Sequence, residues 1–317
     1  MVGAVTTPAP IVAVGVPFAL GGWLPGRERA VAGMTTAPAD LRERGFLEKI
    51  RSGIADGSRL EDAGDIPIEP ALREDADRRA KNRSLIVDVL PLIRDGLAGA
   101  LDGAGPDARL FLIGGDCTVH TAALAALRRT RPGARIALAW LDAHGDFNTP
   151  DTTPSGDVWG MPFAMACGRG DSDLLAACDA PTVREEDCVL VGGQMLDEEE
   201  GHQLAASRIA HFGPGMLSTA AGLAALEAWA AVVARSVDGF YIAVDHDCLD
   251  AAGGWAVAMP EPDGLSLETA VAAIGVLASA APVLGYGATT ISLSNGDAAR
   301  TVDAAASLAI AAFGGRV

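Results

Sequence analysis

The sequence predicts a three-layer α/β domain with a central parallel sheet. Short apolar runs rich in β-branched residues alternate with longer Ala/Leu-rich segments of helical pattern, and the clearest apolar runs end at polar residues. At 317 residues, half of them hydrophobic, the chain can bury a core large enough to cover both faces of such a sheet.

The elements follow in chain order. IVAVGV at 11–16 reads as the first strand, with four of its six residues β-branched, and a helix is expected over 39–51. The polar stretch 53–71 reads as structureless. A long helix over 78–101 precedes the strand RLFLIGGD at 109–116, a helix over 118–129 and the strand IALAWLDAH at 136–144. CVLVGG at 188–193, a helix over 219–234 and GFYIAVDHD at 239–247 continue the alternation. A helix over 267–279, the strand PVLGYGATTISLS at 282–294 and a helix over 297–313 complete it. No repeat, linker or charge block divides the chain, so 1–317 reads as one domain.

The formal charge of −17 would repel nucleic-acid backbones and anionic membrane surfaces, which argues against both as partners. No apolar run reaches membrane length, since Glu227 interrupts even the Ala-rich stretch 220–234. The opening MVGAVTTPAP lacks a basic segment ahead of its apolar run, so no secretory leader is expected. Five cysteines, an odd number without dense spacing, fit free thiols in a reducing cytoplasm.

Three strand ends carry the chemistry: GGDCT at 114–118, DAHGDFNT at 142–149 and DHDCLD at 245–250. Asp142, His144 and Asp146 recur at every second position, as do Asp245 and Asp247, a spacing that puts them on one side of an extended segment. Carboxylates gathered at the carboxyl ends of strands repel one another unless a cation holds them. Oxygen and imidazole donors suit Mn²⁺ and its hard or borderline neighbours. A lone Asp-x-Asp after a strand is more often a cap or turn; two such motifs and a third polar strand end favour a metal site, with two ions the natural count.

The three motifs, in this order, resemble the ureohydrolase (arginase and agmatinase) superfamily over most of the chain, from VGVPFALGG at 14–22 to AAFGG at 311–315. The resemblance implies an arginase-like fold and a paired manganese centre that activates water against guanidino or amidino C–N bonds. It implies that Asp142 and Asp245 bridge two ions and are the catalytic core. Cys117 and Asp146 would serve one ion, and His144 and Asp247 the other. It also implies a small guanidino-type substrate and a homo-oligomer, a trimer or hexamer. Asn148 and Ser155 match positions that hold an α-carboxylate, and Asp197 one that receives an α-amino group, although a loop cap is an equal reading for Ser155 or Asp197 alone.

Four positions depart from the family pattern. Cys117 replaces the histidine of the first motif, as in the related hydroxyarginine hydrolases. Trp159 stands where a histidine shuttles a proton, and Trp cannot transfer one. Met259 stands for a threonine, and Ser292 for the glutamate that clamps the guanidinium from the last strand. The expected function is a metal-dependent amidinohydrolase of a guanidino or N-hydroxyguanidino amino acid, with one or two Mn²⁺ or another divalent ion. The alternative is a non-catalytic relative that keeps the fold as a binding or regulatory protein. His120, His202, His211 and His246 read as structural.

Overall fold

Continuous apolar strands need cover on both faces, and the chain provides it. The structure, a computed structural model, describes residues 9–22, 26, 28–54, 59–68 and 79–314. Among these, eight strands form one parallel sheet: β1 (Ile11–Gly15), β2 (Leu60–Asp65), β3 (Arg109–Ile113), β4 (Ile136–Asp142), β5 (Cys188–Gly192), β6 (Ala210–Phe212), β7 (Gly239–Asp245) and β8 (Val283–Thr289). Their spatial order is β2-β1-β3-β8-β7-β4-β5-β6. All pairings are parallel, so every strand delivers its carboxyl end to the same edge.

The helices are α1 (Glu28–Glu43), α2 (Phe46–Gly53), α3 (Arg83–Ala104), α4 (Val119–Thr130), α5 (Pro162–Ala166), α6 (Ser172–Ala177), α7 (Glu198–Ala206), α8 (Pro214–Leu217), α9 (Ala220–Val233), α10 (Leu267–Ala280) and α11 (Ala298–Ala312). Side-chain alternation along the strands sorts them into two cores. Ile11, Phe111, Ala137 and Ala139 face the layer of α1, α2, α9, α10 and α11. Val12, Leu110, Leu112, Leu138 and Trp140 face the layer of α3, α4, α5 and α6. The three-layer expectation holds.

Several expected boundaries shift. The helix expected over 39–51 is two helices, because Gly45 adopts a left-handed conformation (φ 74°) that residues with a side chain rarely take and turns the chain between α1 and α2. The stretch read as structureless contains β2, an edge strand whose polar sequence LEDAGD is half exposed. Arg42 of α1 pins it, with Nε 2.8 Å from Asp62 and Nη1 2.5 Å from Asp65. Residues 55–58 and 69–71 of that stretch, and Arg78 at the start of the expected long helix, lie outside the described residues.

β4 ends at Asp142 and β7 at Asp245, two residues before the expected ends. β8 ends at Thr289, well short of residue 294.

Candidate metal centre

The early strand ends change how the ligand-type residues meet. Asp245 is the last residue of β7, and His246–Cys248 form a tight 3-10 turn in which Asp245 Oδ1 accepts from Asp247 N at 2.8 Å. After β4, Asp142 Oδ1 accepts from His144 N at 2.7 Å, and Asp146 has φ 47°. The period-two spacing of an extended chain is therefore not what brings these side chains together; two turns do it, each closed by the carboxylate that ends the strand. His246 points away, its Nδ1 3.1 Å from Thr289 O.

Two clusters result. Cys117, Asp142 and Asp245 place one ligand atom each within 4.8 Å of one another, and Asp142, His144 and Asp247 do the same. Asp142 belongs to both. It is fully buried and steadied by Trp140 Nε1, which donates to Oδ2 at 3.0 Å. The Cys117 thiol donates to Asp245 Oδ2 at 3.0 Å and lies 3.5 Å from Thr289 Oγ1. His144 Nδ1 is 3.3 Å from both Asp142 Oδ1 and Asp247 Oδ2. Asp146 joins neither cluster, yet it lines the same cavity and its Oδ2 is buried with no hydrogen-bond partner among the described residues.

The electrostatics are those of a site built for a cation. Burial, followed by the neighbouring carboxylates, pushes Asp146 and Asp245 well above the usual carboxylate range. Asp142 is raised as well, by burial and by Asp247. Burial and then the charges of Asp245, Asp146 and Asp142 drive the Cys117 thiol up. Burial would lower His144, but Asp247 and Asp142 beside it raise it well above the ordinary imidazole value. Burial would raise Asp247, but His144 together with hydrogen bonds involving Asp245 and Ala143 N holds it below its usual value. A cation reverses the penalty on every buried carboxylate, and the orphaned oxygen of Asp146 supplies one more donor. The residues present fit a divalent ion, or a pair, through oxygen, nitrogen and one sulfur.

A cavity of about 310 Å³ opens over the clusters, lined by Cys117, His144, Asp146, Asp245, Asp247 and the substrate-side residues. Asn148 Nδ2 donates to Asp197 Oδ2 at 2.9 Å, so these two form a pair on the cavity wall. Asp197 also occupies the N-cap position of α7. Ser155 lines the cavity too, while its Oγ accepts from Asp157 N at 3.1 Å, so it caps its own loop as well.

Trp159 and Met259 form part of the wall, joined by Met195. A relay of hydrogen bonds sets Trp159: Asp116 Oδ2 accepts from Gly21 N at 2.7 Å, and Gly21 O accepts from Trp159 N at 2.9 Å. The indole lies where a Cβ on Gly22 would fall 2.1 Å from it, which makes room for no side chain there.

Ser292 does not line this cavity. It is fully buried and its Oγ faces Ser294 Oγ at 3.5 Å, with Gly33 packed against it. The residue that follows β8 into the cavity is Thr290, two positions earlier, which has φ 59° and donates its hydroxyl to Asp245 Oδ1. The chain turns left-handed at Thr290, and Ser292 beyond that turn lies off the cavity wall.

Sequence reasoning also missed Glu200, which is buried, lines the cavity and accepts from Phe147 N (2.8 Å) and Asp197 N (3.2 Å); burial pushes it up to about 7. The spacing Asp197-x-x-Glu200 is a capping-box signal that could have found it. His120, read as structural, is fully buried with Nδ1 2.7 Å from Tyr241 OH and Nε2 3.1 Å from Thr289 Oγ1.

Comparison with known proteins agrees with this geometry. A model of the arginase family matches residues 9–314. Arginase from Bacillus caldovelox is 30% identical over 275 residues, covering 86% of this chain and 87% of the relative. The native structure of the Bacillus caldovelox arginase superimposes with a TM-score of 0.85 at 26% identity, over 98% of this chain and 99% of that one. A Bacillus cereus arginase structure gives a TM-score of 0.83 at 26% identity, over 97% and 99%.

Proposed function

The chain belongs to the arginase family of metal-dependent C–N hydrolases, and we propose that its substrate is a guanidino or N-hydroxyguanidino amino acid, cleaved to urea or a substituted urea. The observation that carries this reading is the placement of the Asn148–Asp197 pair and Ser155 on the wall of the same cavity that Cys117, His144, Asp146, Asp245 and Asp247 line, with Asp142 clustered behind them. One end of that cavity suits the polar head of an amino acid, and the other a cation-dependent hydrolytic centre.

Cys117, Asp142, His144, Asp146, Asp245 and Asp247 would hold a divalent ion, which we take to be Mn²⁺, and it would supply Lewis acidity toward water and the guanidine carbon. The chain's own residues do the rest. Asp142 and Asp245 stand at the ends of the adjacent strands β4 and β7, and each has its Oδ1 fixed by a backbone N–H two residues on, which holds the two carboxylates in one orientation. Asp197 offers its carboxylate to a cationic amino group, and Asn148, bonded to it, holds that carboxylate in place. Trp159, Met195 and Met259 give the cavity wall its apolar surface.

Trp159 cannot shuttle a proton as a histidine at that position would, and Thr290 presents a hydroxyl where a carboxylate would hold a guanidinium. A permanently cationic guanidinium is costly to desolvate without an anionic partner, so a less basic amidine suits the site better than arginine. The test is product release from the Mn²⁺-loaded protein across guanidino compounds with and without an α-amino acid head. Amino-acid guanidines are expected to react and agmatine to react far more slowly; a preference for agmatine would overturn the substrate class.

A further inference from the structure

We propose that Glu261 is the positioning residue for His144, holding its imidazole so that Nδ1, and not Nε2, is the atom presented to the metal centre. The inference rests on the metal-centre reading above. Nδ1 of His144 already faces the cluster, 3.3 Å from Asp142 and 3.3 Å from Asp247. Its other nitrogen, Nε2, faces outward and lies 3.9 Å from Glu261 Oε1. A single bridging water or a small rotation of the glutamate closes that separation to a hydrogen bond.

His144 needs such support more than its neighbours do. Its side chain is 22% exposed, against 0% for Asp142 and 3% for Asp247, so packing alone fixes its ring least. Which nitrogen of an imidazole binds a metal is set by the hydrogen bond the other nitrogen makes, and a carboxylate there both orients the ring and strengthens it as a ligand.

Glu261 sits on a loop anchored to do this. Ala251 N donates to Glu261 O at 2.9 Å, and Asp250 N to Leu265 O at 2.9 Å. Leu265 N returns a bond to Cys248 O at 2.8 Å, tying the loop to the turn that carries Asp247. From the other side Gln194 Nε2 donates to Pro262 O at 3.5 Å. The Glu261 side chain is itself only 19% exposed. The backbone that carries Glu261 is therefore bonded to the segment that follows Asp247, and the His144 ring lies between the two carboxylates.

The test is Mn²⁺ affinity of the full-length protein, measured by chelator competition, for the unaltered chain, Glu261→Ala, Glu261→Gln and His144→Ala. Glu261→Ala is expected to weaken the tighter Mn²⁺ site by about 10–100-fold, the usual effect of removing such a partner. Glu261→Gln, which keeps an acceptor oxygen, restores most of the affinity. Glu261→Ala adds no further loss in the His144→Ala background, and the thermal midpoint of the metal-free protein stays unchanged. Equal Mn²⁺ affinity in Glu261→Ala and the unaltered protein overturns the proposal, as does an equal loss in the presence and absence of His144. If the unaltered protein itself binds no Mn²⁺, the metal-centre reading falls and this proposal with it.

Discussion

The Cys117 thiol donates to Asp245 Oδ2 at 3.0 Å while His144 Nδ1 stands across Asp142 from it, so the two halves of the centre share a carboxylate but differ in donor. One half offers sulfur and oxygen, the other nitrogen and oxygen. Sulfur is a soft donor better matched to Zn²⁺ than to Mn²⁺, whereas carboxylate and imidazole suit Mn²⁺. The half with His144 and Asp247 is therefore expected to bind Mn²⁺ the more tightly. Elemental analysis after dialysis is expected to give less than two equivalents of Mn²⁺ in the unaltered protein and a higher value in Cys117→His. Two full equivalents in the unaltered protein would contradict this.

The register at the end of β8 is testable through two substitutions. Ser292→Glu forces a carboxylate into a fully buried site packed on Gly33, and is expected to cost about 3–5 kcal/mol of stability by denaturant unfolding. Thr290→Glu instead places the carboxylate in the cavity. In the metal-loaded protein it is expected to raise kcat/KM for arginine at least about tenfold, worth about 1.4 kcal/mol. A stable Ser292→Glu protein that gains arginine turnover would restore the original placement.

Asp197→Ala separates recognition from capping. Loss of the N-cap carboxylate of α7 is expected to lower stability by about 1 kcal/mol. If Asp197 also receives the substrate's amino group, KM for an amino-acid guanidine rises about 10–100-fold, the worth of a charge-assisted hydrogen bond of roughly 1.5–3 kcal/mol. KM for a guanidine without that amino group should not move. Equal effects on both compounds would leave Asp197 as a cap alone.

His120 makes acid stability a probe of the layer behind the centre. Burial holds its imidazole down to about 3, far below the ordinary 6.5, so the folded protein keeps it neutral where the unfolded chain takes up a proton. Its contribution is therefore fully present above about pH 6.5 and is lost as pH falls from there towards 3. Over that window His120 contributes a slope of about 1.4 kcal/mol per pH unit. His120→Gln is expected to destabilise at pH 7 yet to flatten the stability profile between pH 6 and 4. A profile parallel to that of the unaltered protein would show that His120 is not held neutral.

The ligand-type residues were legible because each motif couples an apolar strand to a dense polar string, as in IALAWLDAHGD. Their geometry was not, since the spacing of Asp245 and Asp247 fits an extended strand and a 3-10 turn alike, and only the backbone bond from Asp247 N to Asp245 decides between them. Thr290 escaped notice because a threonine in a left-handed turn leaves no mark in the pattern TTISLS. Edge strand β2 escaped because only its first residue is buried, and a strand whose side chains are largely solvent-accessible carries no apolar signature. Glu261, lying in a loop read only for Met259, acquires meaning once the turn carrying Asp247 is seen bonded to it.

The most direct measurement is the ratio of kcat/KM for Nω-hydroxyarginine to that for arginine in the Mn²⁺-loaded protein, with a chelator control. The site lacks a carboxylate at Thr290 and a proton shuttle at Trp159, so the less basic compound should be hydrolysed at least about tenfold more efficiently, a margin of about 1.4 kcal/mol, and chelation should abolish turnover of both. Efficient urea release from arginine, equal to or exceeding turnover of the hydroxylated compound, would contradict the account.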